Sequence, residues 1–382
     1  MIDTMVLQYQ FQRKEEYKAF YTRTERFLKQ RKLGGLCIVK GAENHYETDK
    51  LRKDGFLKIR FFRTEGYYRN FMEIELQPIR LLKQNEHVDL SEFEQYGTIA
   101  KKFNVHIAQL LGFGAALPER LEFGNWNVRR IDYAFQLRTP YVEAYVKLLH
   151  RGRVPKPFKK ILYDTSLYLY SKSKRFNFYD KHSQLMTKKG LSIAERQRSL
   201  EILRFEVQCE KKSIEKMKIR FGLEDMSVQS LWDKRIARHV LFRAVTSVLG
   251  EQDFYRLDAA CSKLLRDSQN VEGASVMRMI AQAETIVGIN ERFSQKYPKF
   301  KKPDSKCKKI LKSIQDSGIN PIALPEDCGL PDHILCLQNP CHHEFFNESK
   351  DDLEQQIHGL GIESFVKAQK KRELCESPLF VD

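Results

Sequence analysis

The sequence predicts an α+β protein: an antiparallel sheet with helices on one face, followed by a mainly helical C-terminal domain. In the first part of the chain, short segments alternate between apolar and polar residues, as half-buried strands do, and helical segments separate them. After Gly222 the strand signals nearly vanish, and from about 227 to 295 the apolar spacing is helical. We therefore expect a sheet domain at 1–224, a helical domain at 225–320 and a tail containing Cys and His at 321–382.

The elements follow from alternation, helical spacing and breaker residues. Pro78 stops one strand because proline has no N–H for a sheet hydrogen bond. Ser91 and Glu94 have the spacing of a capping box, and Thr64-Glu65-Gly66 is typical of a hairpin turn. The predicted strands are 1–10, 56–62, 67–76, 126–137, 165–170, 175–181 and 203–209. The predicted helices are 15–32, 91–111, 141–149, a lysine-rich helix ending at Arg220, and 306–317.

The chain carries a large excess of positive charge, which is unevenly distributed. Its formal net charge is +16, from 66 Lys and Arg residues against 50 Asp and Glu residues. An excess of this size indicates a polyanionic partner, most often nucleic acid. Between Lys147 and Lys189 there are twelve Lys or Arg residues and two acids. The alternative is an ordinary solvated surface. The predicted DNA-binding residues are Lys156, Lys159, Lys160, Lys172, Lys174, Arg175 and Arg204.

Other features of the sequence concern the compartment. No window approaches eighteen consecutive apolar residues, so we expect no membrane-spanning helix. The start of the chain lacks the pattern of a secretory signal, so we expect no such signal. The eight cysteines are scattered, which indicates reduced thiols and a cytoplasmic protein.

Cys328, Cys336 and Cys341 with His342 or His343 contain enough sulfur and nitrogen for a zinc site. They lack a paired CxxC spacing, so reduced thiols are the preferred interpretation.

The most basic stretch contains a tyrosine suited to nucleophilic chemistry. Residues 175–181 alternate, with Phe176 and Phe178 on one side and Tyr179 and Lys181 on the other. We expect the tyrosine hydroxyl and the lysine ammonium to project together onto the solvent-facing side. A fixed cation beside a tyrosine favours the phenolate and neutralises a phosphate oxygen. The alternative is an amphipathic strand with a surface tyrosine.

Three other predicted strands carry an acidic residue on the polar side of an alternating pattern: Glu73, Asp132 and Glu206. If these strands share one sheet, the carboxylates converge beside Tyr179 and Lys181. Clustered acids repel one another unless a cation lies between them, and oxygen ligands suit Mg²⁺ or Mn²⁺ rather than zinc. A metal, a tyrosine and a basic residue are what phosphodiester transfer requires. The alternative for each acid is a solvated or cross-strand-paired carboxylate.

Five ordered segments resemble a known family. They are Met-Ile-Asp-Thr-Met-Val-Leu at 1–7, Met-Glu-Ile-Glu at 72–75, Arg-Arg-Ile-Asp-Tyr-Ala-Phe at 129–135, Phe-Tyr-Asp-Lys at 178–181 and Leu-Arg-Phe-Glu-Val-Gln at 203–208. Their order resembles that in the gene-two replication initiators of filamentous phages and their plasmid relatives. The Arg-Ile-Asp, Tyr-Asp-Lys and Arg-Phe-Glu signatures are also similar to those of rolling-circle plasmid initiators. The resemblance covers about residues 1–225.

The resemblance implies an enzyme that nicks one strand at a replication origin and later closes it. Such a protein holds a 5′-phosphotyrosine, leaves a 3′-hydroxyl as primer and rejoins the displaced strand into a circle. Tyr179 is then the nucleophile, with Asp132 and Glu206 as metal ligands. Glu73 is a third ligand, and Lys181 contacts the phosphate or the leaving group. The implied partners are double- and single-stranded origin DNA and a host helicase or polymerase, in the cytoplasm of a bacterial host.

Alternatives remain open at this point. Some plasmid initiators carry the reactive tyrosine a few residues earlier in this strand, where the chain has Arg175 and Phe176, so Tyr168 and Tyr170 are further candidates. The histidine-hydrophobe-histidine motif of other rolling-circle nickases does not occur among the ten histidines. Its absence favours a carboxylate site. A function of a different class is a non-catalytic initiator or repressor that binds origin DNA by charge and recruits host enzymes.

Overall fold

Ten strands form one antiparallel sheet on which the other elements are arranged. The computed structural model describes residues 1–281 apart from 43, 64–69, 115 and 189, and then 293–296, 298, 303–324, 326, 332–334 and 336. The strands are β1 (Ile2–Gln10), β2 (Cys37–Ile38), β3 (His45–Thr48), β4 (Phe56–Phe62), β5 (Phe71–Leu76), β6 (Asn127–Arg138), β7 (Lys159–Tyr163), β8 (Ser166–Tyr170), β9 (Lys174–Asp180), β10 (Ile202–Glu210), β11 (Phe254–Tyr255) and β12 (His333–Ile334). The helices are α1 (Lys14–Gln30), α2 (Pro78–Leu82), α3 (Tyr96–Leu111), α4 (Val142–Arg151), α5 (Lys181–Met186), α6 (Ile193–Ser199), α7 (Lys211–Phe221), α8 (Val228–Leu231), α9 (Lys234–Leu249), α10 (Leu257–Ser268), α11 (Val271–Ala281) and α12 (Pro303–Asp316).

The strand order across the sheet is β2-β3-β4-β5-β1-β6-β10-β9-β8-β7. All neighbouring pairs in it are antiparallel. The predicted α+β class is therefore confirmed. The order also makes β5, β1, β6, β10 and β9 consecutive neighbours, so the three acid-bearing strands and the tyrosine strand lie in one continuous part of the sheet.

Longer helices cover one face of this sheet and bury its apolar side chains. Helices α1, α3, α4, α7 and α9 contribute to the same hydrophobic core as the strands, and α7 and α9 pack on β6 and β10. In β6, for example, Ile131, Tyr133 and Phe135 alternate toward this core. Burying a side chain of this size contributes about 1.5–3 kcal/mol, so period-two alternation fixes which face turns inward.

Short helices cover one end of the opposite, polar face. Leu185 in α5 and Ile202 at the start of β10 form a small apolar cluster with Val88 and Leu191. The carboxylate of Asp180 accepts the backbone N–H of His182 at 2.9 Å and caps α5. β9 therefore ends at Asp180 and Lys181 begins a helix. The prediction that the strand continues through Lys181 is wrong because Asp180 acts as an N-cap.

The helices after β10 divide between two cores. Residues 228–249, which the sequence assigned to the second domain, pack with the sheet: the Tyr133 hydroxyl donates to the Leu231 carbonyl oxygen at 2.8 Å. A separate apolar cluster contains α10, α11 and α12. The change of core along the chain thus lies near residue 255.

The predicted capping box at Ser91 and Glu94 is wrong. Ser91 does not cap a helix; its hydroxyl donates to the Ile2 carbonyl oxygen at 2.6 Å, and Glu92 and Gln95 form the capping pair one residue later. The predicted turn at 64–66 lies outside the described residues, as do Cys328, Cys341 and both His342 and His343. Over the described part of the chain, no helix combines the length and apolar character that crossing a membrane needs.

Candidate active site

The antiparallel register brings the polar residues of β9, β10, β6 and β1 onto one face. Arg204 lies opposite Tyr179 in the β9–β10 pairing. Gln208 lies opposite Asp132 in the β10–β6 pairing. Because directly paired residues in an antiparallel sheet share a face, Glu206, between Arg204 and Gln208, projects from that same face. The sequence prediction that Asp132, Glu206 and Tyr179 share one face of one sheet agrees with this register.

The Tyr179 hydroxyl is held by a carboxylate. It donates to Oε2 of Glu206 at 3.1 Å, and the Asn177 side-chain amide donates to Oε1 at 2.8 Å. Tyr179 is 7% exposed, and burial together with the Glu206 charge raises its pKa well above the ordinary value. The expectations of a solvent-facing hydroxyl and a cation-favoured phenolate are therefore wrong. A neutral tyrosine here becomes a nucleophile only if its proton moves to a base during attack, and Glu206 is in position to accept it.

Asp132 lies deep in the same cluster. Burial raises its pKa well above the ordinary value; Arg130, at 3.1 Å, opposes this, while Glu206 and Asp3 add to it. Burial, followed by Asp3, also raises the pKa of Glu206. Both carboxylates are therefore electrostatically unsatisfied when ionised, which is the condition that a bound cation relieves.

Asp3 belongs to this cluster and was missed by the sequence analysis. A register shift between Ile2 and Thr4 gives β1 an extra residue there. Asp3 Oδ1 accepts from Arg204 Nη1 at 2.9 Å. Burial alone would raise its pKa, but Arg204 and then Lys181 outweigh burial and lower it. The available signal was a lone acid in the otherwise uncharged run Ile-Asp-Thr-Met-Val-Leu.

Lys181 lies close to the tyrosine, although it belongs to α5. Its ammonium is 5.9 Å from the centroid of the Tyr179 ring and donates to Oε1 of Gln184 at 3.1 Å. The residue is 4% exposed, and burial and the Arg204 charge lower its pKa well below the ordinary value. Such an ammonium gives up a proton readily, which suits it to protonate a leaving oxygen.

Glu73 is on the predicted face but at a different height along the strands. It pairs with Gln8 in β1, whereas Asp132 pairs with Thr4. Four residues of extended strand correspond to roughly 13 Å. The carboxylate of Glu73 instead lies 3.6 Å from Arg129. The structure thus does not bring Glu73 together with Asp132, and the further acid in the cluster is Asp3, which pairs with Arg204.

Two carboxylates of the cluster, Asp132 and Glu206, fit a magnesium or manganese ion that completes its coordination with other ligands. Among the residues described, no three His, Cys, Asp or Glu side chains converge as a preformed metal site. Mg²⁺ usually binds proteins through one or two carboxylates and completes its coordination with water and substrate phosphate. Asp132 and Glu206, two buried carboxylates with raised pKa values, match that mode of binding.

A basic groove lies on the same face, beside the tyrosine rather than over it. It encloses about 390 Å³, and seven of its lining residues are Lys or Arg against two Glu. Arg175, two residues from Asn177 in β9, and Arg130, two residues from Asp132 in β6, connect the groove to the cluster. The lining residues are Val6, Arg60, Glu73, Arg129, Arg130, Ser171, Lys172, Arg175, Glu210, Lys211 and Lys212.

The predicted DNA-binding residues fall into separate environments. Lys172 and Arg175 line the groove, and Lys159 lies on the same face, opposite Tyr170. Lys156 is exposed in the loop before β7. Arg204 is 1% exposed, so it contributes to the buried cluster and does not form a surface contact.

The remaining two lysines lie on the helix-covered face. Lys160 donates to the His150 carbonyl oxygen in α4 at 2.6 Å. Lys174 pairs with the buried Cys209. Burial, with nearby cations that include Lys174, lowers the pKa of His239 in α9 to about 4. Alternation therefore separates Lys174 from its groove-lining neighbour Arg175.

Comparison with known proteins adds no further identification: no protein-family model, curated protein or solved structure matches this chain.

Proposed function

We propose that the protein is a metal-dependent DNA nicking and closing enzyme that initiates rolling-circle replication, with Tyr179 as its nucleophile. The observation that carries this proposal is the hydrogen bond from the Tyr179 hydroxyl to Glu206, in a buried cluster with Asp132. A buried tyrosine bonded to a carboxylate, beside a second carboxylate and a buried lysine, has the parts needed for phosphodiester transfer. The resemblance of five ordered segments to phage and plasmid initiators supports the same reaction.

In the proposed cleavage step, Oη of Tyr179 attacks the scissile phosphorus. The tyrosine proton passes to Oε2 of Glu206, and the bond between phosphorus and O3′ breaks. Lys181 protonates the leaving oxygen, which gives a free 3′-hydroxyl and a 5′-phosphotyrosine. In the closing step a 3′-hydroxyl attacks the phosphotyrosine and gives its proton to the neutral Lys181 amine, and Tyr179 leaves with a proton returned from Glu206. The phosphotyrosine keeps the free energy of the broken phosphodiester bond, so closing needs no external energy source.

Asp132 and Glu206 would hold the Mg²⁺ or Mn²⁺ ion. When bound, the ion supplies Lewis-acid stabilisation of negative charge on the phosphate oxygens. The chain's own residues perform the other tasks. Asn177 orients the Glu206 carboxylate, Arg204 holds Asp3, and the basic groove binds phosphates next to the scissile one.

The proposed partners follow from this reaction. Double-stranded origin DNA is the substrate for nicking, and the displaced single strand is the substrate for closing. A host polymerase would extend the 3′-hydroxyl, or a host helicase would unwind the duplex beyond the nick, and the cytoplasm of a bacterial host is the proposed compartment.

The proposal is tested with a supercoiled plasmid carrying the cognate origin, incubated with protein and Mg²⁺ or Mn²⁺. We expect relaxation of the plasmid and a covalent protein–DNA band on a denaturing gel. A protein that binds this DNA but never nicks it with any divalent metal would instead be the non-catalytic origin binder.

Groove lysine and arginine residues should control the salt dependence of DNA binding. We expect the Lys172→Ala/Arg175→Ala double variant to bind duplex DNA more weakly than wild type. The slope of log affinity against log salt should fall by about 0.9 for each phosphate that the variant no longer neutralises. Fluorescence anisotropy across a salt series measures both quantities. Lys174→Ala removes a charge from the opposite face and is the matched control; an equal effect of this variant would contradict the assignment of the groove.

A further inference from the structure

A row of tyrosines lies at the edge of the sheet, next to the candidate active site. Tyr163 in the edge strand β7 is 58% exposed, and Tyr170 in β8 is 38% exposed. Between them, Tyr168 is half-buried. A tyrosine ring is a large apolar surface, and one or two exposed singly need no explanation. Three on one face of one hairpin concentrate aromatic surface there, which is the kind of feature that indicates a binding site.

The register places this aromatic surface on the same side of the sheet as the nucleophile. Tyr163 pairs with Ser166, which pairs in turn with Tyr179. Tyr168 pairs with Asn177, whose amide holds Glu206. The Glu206 charge contributes, after burial, to a raised pKa of Tyr168, which agrees with a Tyr168 side chain that faces the cluster. The surface is thus continuous with the site where the phosphodiester is proposed to be cut.

Two of the three rings are also held in place before any ligand binds. Tyr163 contacts Tyr168 edge to face, with ring centroids 5.7 Å apart. Such a pair stabilises by about 0.5–1.5 kcal/mol beyond its buried area. Tyrosine has only two side-chain torsions, so little conformational entropy is lost when a ligand packs on it.

Cations alternate with these rings along the same face. Lys159 pairs with Tyr170, and Tyr170 pairs with Arg175, which lines the basic groove. Lys172 lies in the turn that follows Tyr170. Cations bind phosphates and aromatic rings bind the faces of bases, so this combination is complementary to an unpaired polynucleotide. A duplex offers its phosphates but keeps base faces stacked inside, and therefore cannot use the rings.

We propose that Tyr163, Tyr168 and Tyr170 form a stacking platform for unpaired bases of a DNA single strand beside Tyr179. The platform deepens the proposed function, and its position relative to the scissile phosphate rests on that function. The chemistry by which the rings bind unpaired bases does not rest on that function. It distinguishes the displaced or melted strand from duplex DNA, which the groove cations bind alone.

The test compares affinities for a labelled dT oligonucleotide and for a duplex of equal length, by fluorescence anisotropy with the full-length protein. We expect the Tyr163→Leu/Tyr170→Leu variant to bind the dT oligonucleotide at least about 10-fold more weakly than wild type, the loss of one or two stacked bases. Duplex affinity should change less than about 3-fold, since no charge is removed. Both substituted side chains are exposed, and thermal melting checks that the fold is retained.

Two control variants isolate the aromatic contribution. The Tyr163→Phe/Tyr170→Phe variant keeps the rings and should bind the dT oligonucleotide like wild type. Leu162 is 45% exposed on the opposite face of β7, and Leu162→Ala should have no effect on binding. The platform is refuted if the leucine variant binds the dT oligonucleotide as tightly as wild type, or loses single-strand and duplex affinity equally.

The platform and the proposed function fail in different ways. If wild type never nicks, yet single-strand binding depends on the two rings, the platform stands and the enzymatic function is wrong. If nicking proceeds but the leucine variant instead alters self-association in analytical ultracentrifugation with unchanged DNA affinity, the hairpin is a protein contact and the platform is wrong.

Discussion

Tyr179→Phe is expected to abolish nicking while leaving origin binding intact. The substitution removes the only atom that forms the covalent bond in the proposed reaction, so we expect a rate loss of at least about 10³-fold and no covalent protein–DNA band. DNA affinity should stay within about 2-fold, because it depends on groove cations. Removing the hydrogen bond to Glu206 has a cost of about 1 kcal/mol, which the Asn177 contact to the same carboxylate moderates. Plasmid relaxation measures the nicking rate, and denaturing gels detect the covalent protein–DNA band.

Two further tyrosines serve as matched controls for this variant. Tyr133→Phe removes a buried hydroxyl that donates to the Leu231 carbonyl oxygen on the helix side. It should lose about 1 kcal/mol of stability and keep normal nicking. Tyr168→Phe keeps a ring on the platform and should also nick normally. Normal nicking by Tyr179→Phe together with inactivity of Tyr168→Phe would move the nucleophile to β8.

Strand faces could be predicted from the sequence because side chains alternate with a period of two. That rule correctly placed Asp132, Glu206 and Tyr179 on the polar side. Alternation contains no information about register between strands distant in sequence. The height of Glu73 relative to Asp132 is set by how β5 pairs with β1, and this depends on packing of the whole sheet.

Local exceptions to regular geometry were the other source of error. Asp3 enters the site through a register shift in β1, which no residue pattern in that strand announces. Lys181 was assigned to a strand because Asp180 looked like one more alternating residue, although Asp is a favoured N-cap. Burial of Tyr179 and Lys181 depends on the segments that cover this end of the sheet, so their pKa directions required the structure.

Asp132→Asn is expected to gain stability and lose activity. Burial, with help from Glu206 and Asp3, raises the pKa of Asp132, so the folded state holds its proton more tightly than the unfolded state. The stabilisation is fully present below the unfolded value of about 3.9 and is lost as pH rises through the folded value. At pH 7.5 without metal, the variant avoids this loss, and we expect its Tm to exceed that of wild type by about 1–2 °C, the shift that about 1 kcal/mol produces in a chain of this size. The difference should shrink toward pH 4.

Divalent metal should reverse this order of stability, because the cation relieves the repulsion that the substitution removes. Mg²⁺ or Mn²⁺ at ten times its dissociation constant should stabilise wild type by about 1.4 kcal/mol and leave Asp132→Asn nearly unchanged. Nicking by the variant should fall by at least about 10²-fold, the scale of losing stabilisation of transition-state charge. Glu73→Gln, on the same face but four residues away along β1, is the control and should nick like wild type. Normal nicking by Asp132→Asn, or a wild-type Tm that neither metal changes, would show that these carboxylates hold arginines rather than a catalytic ion.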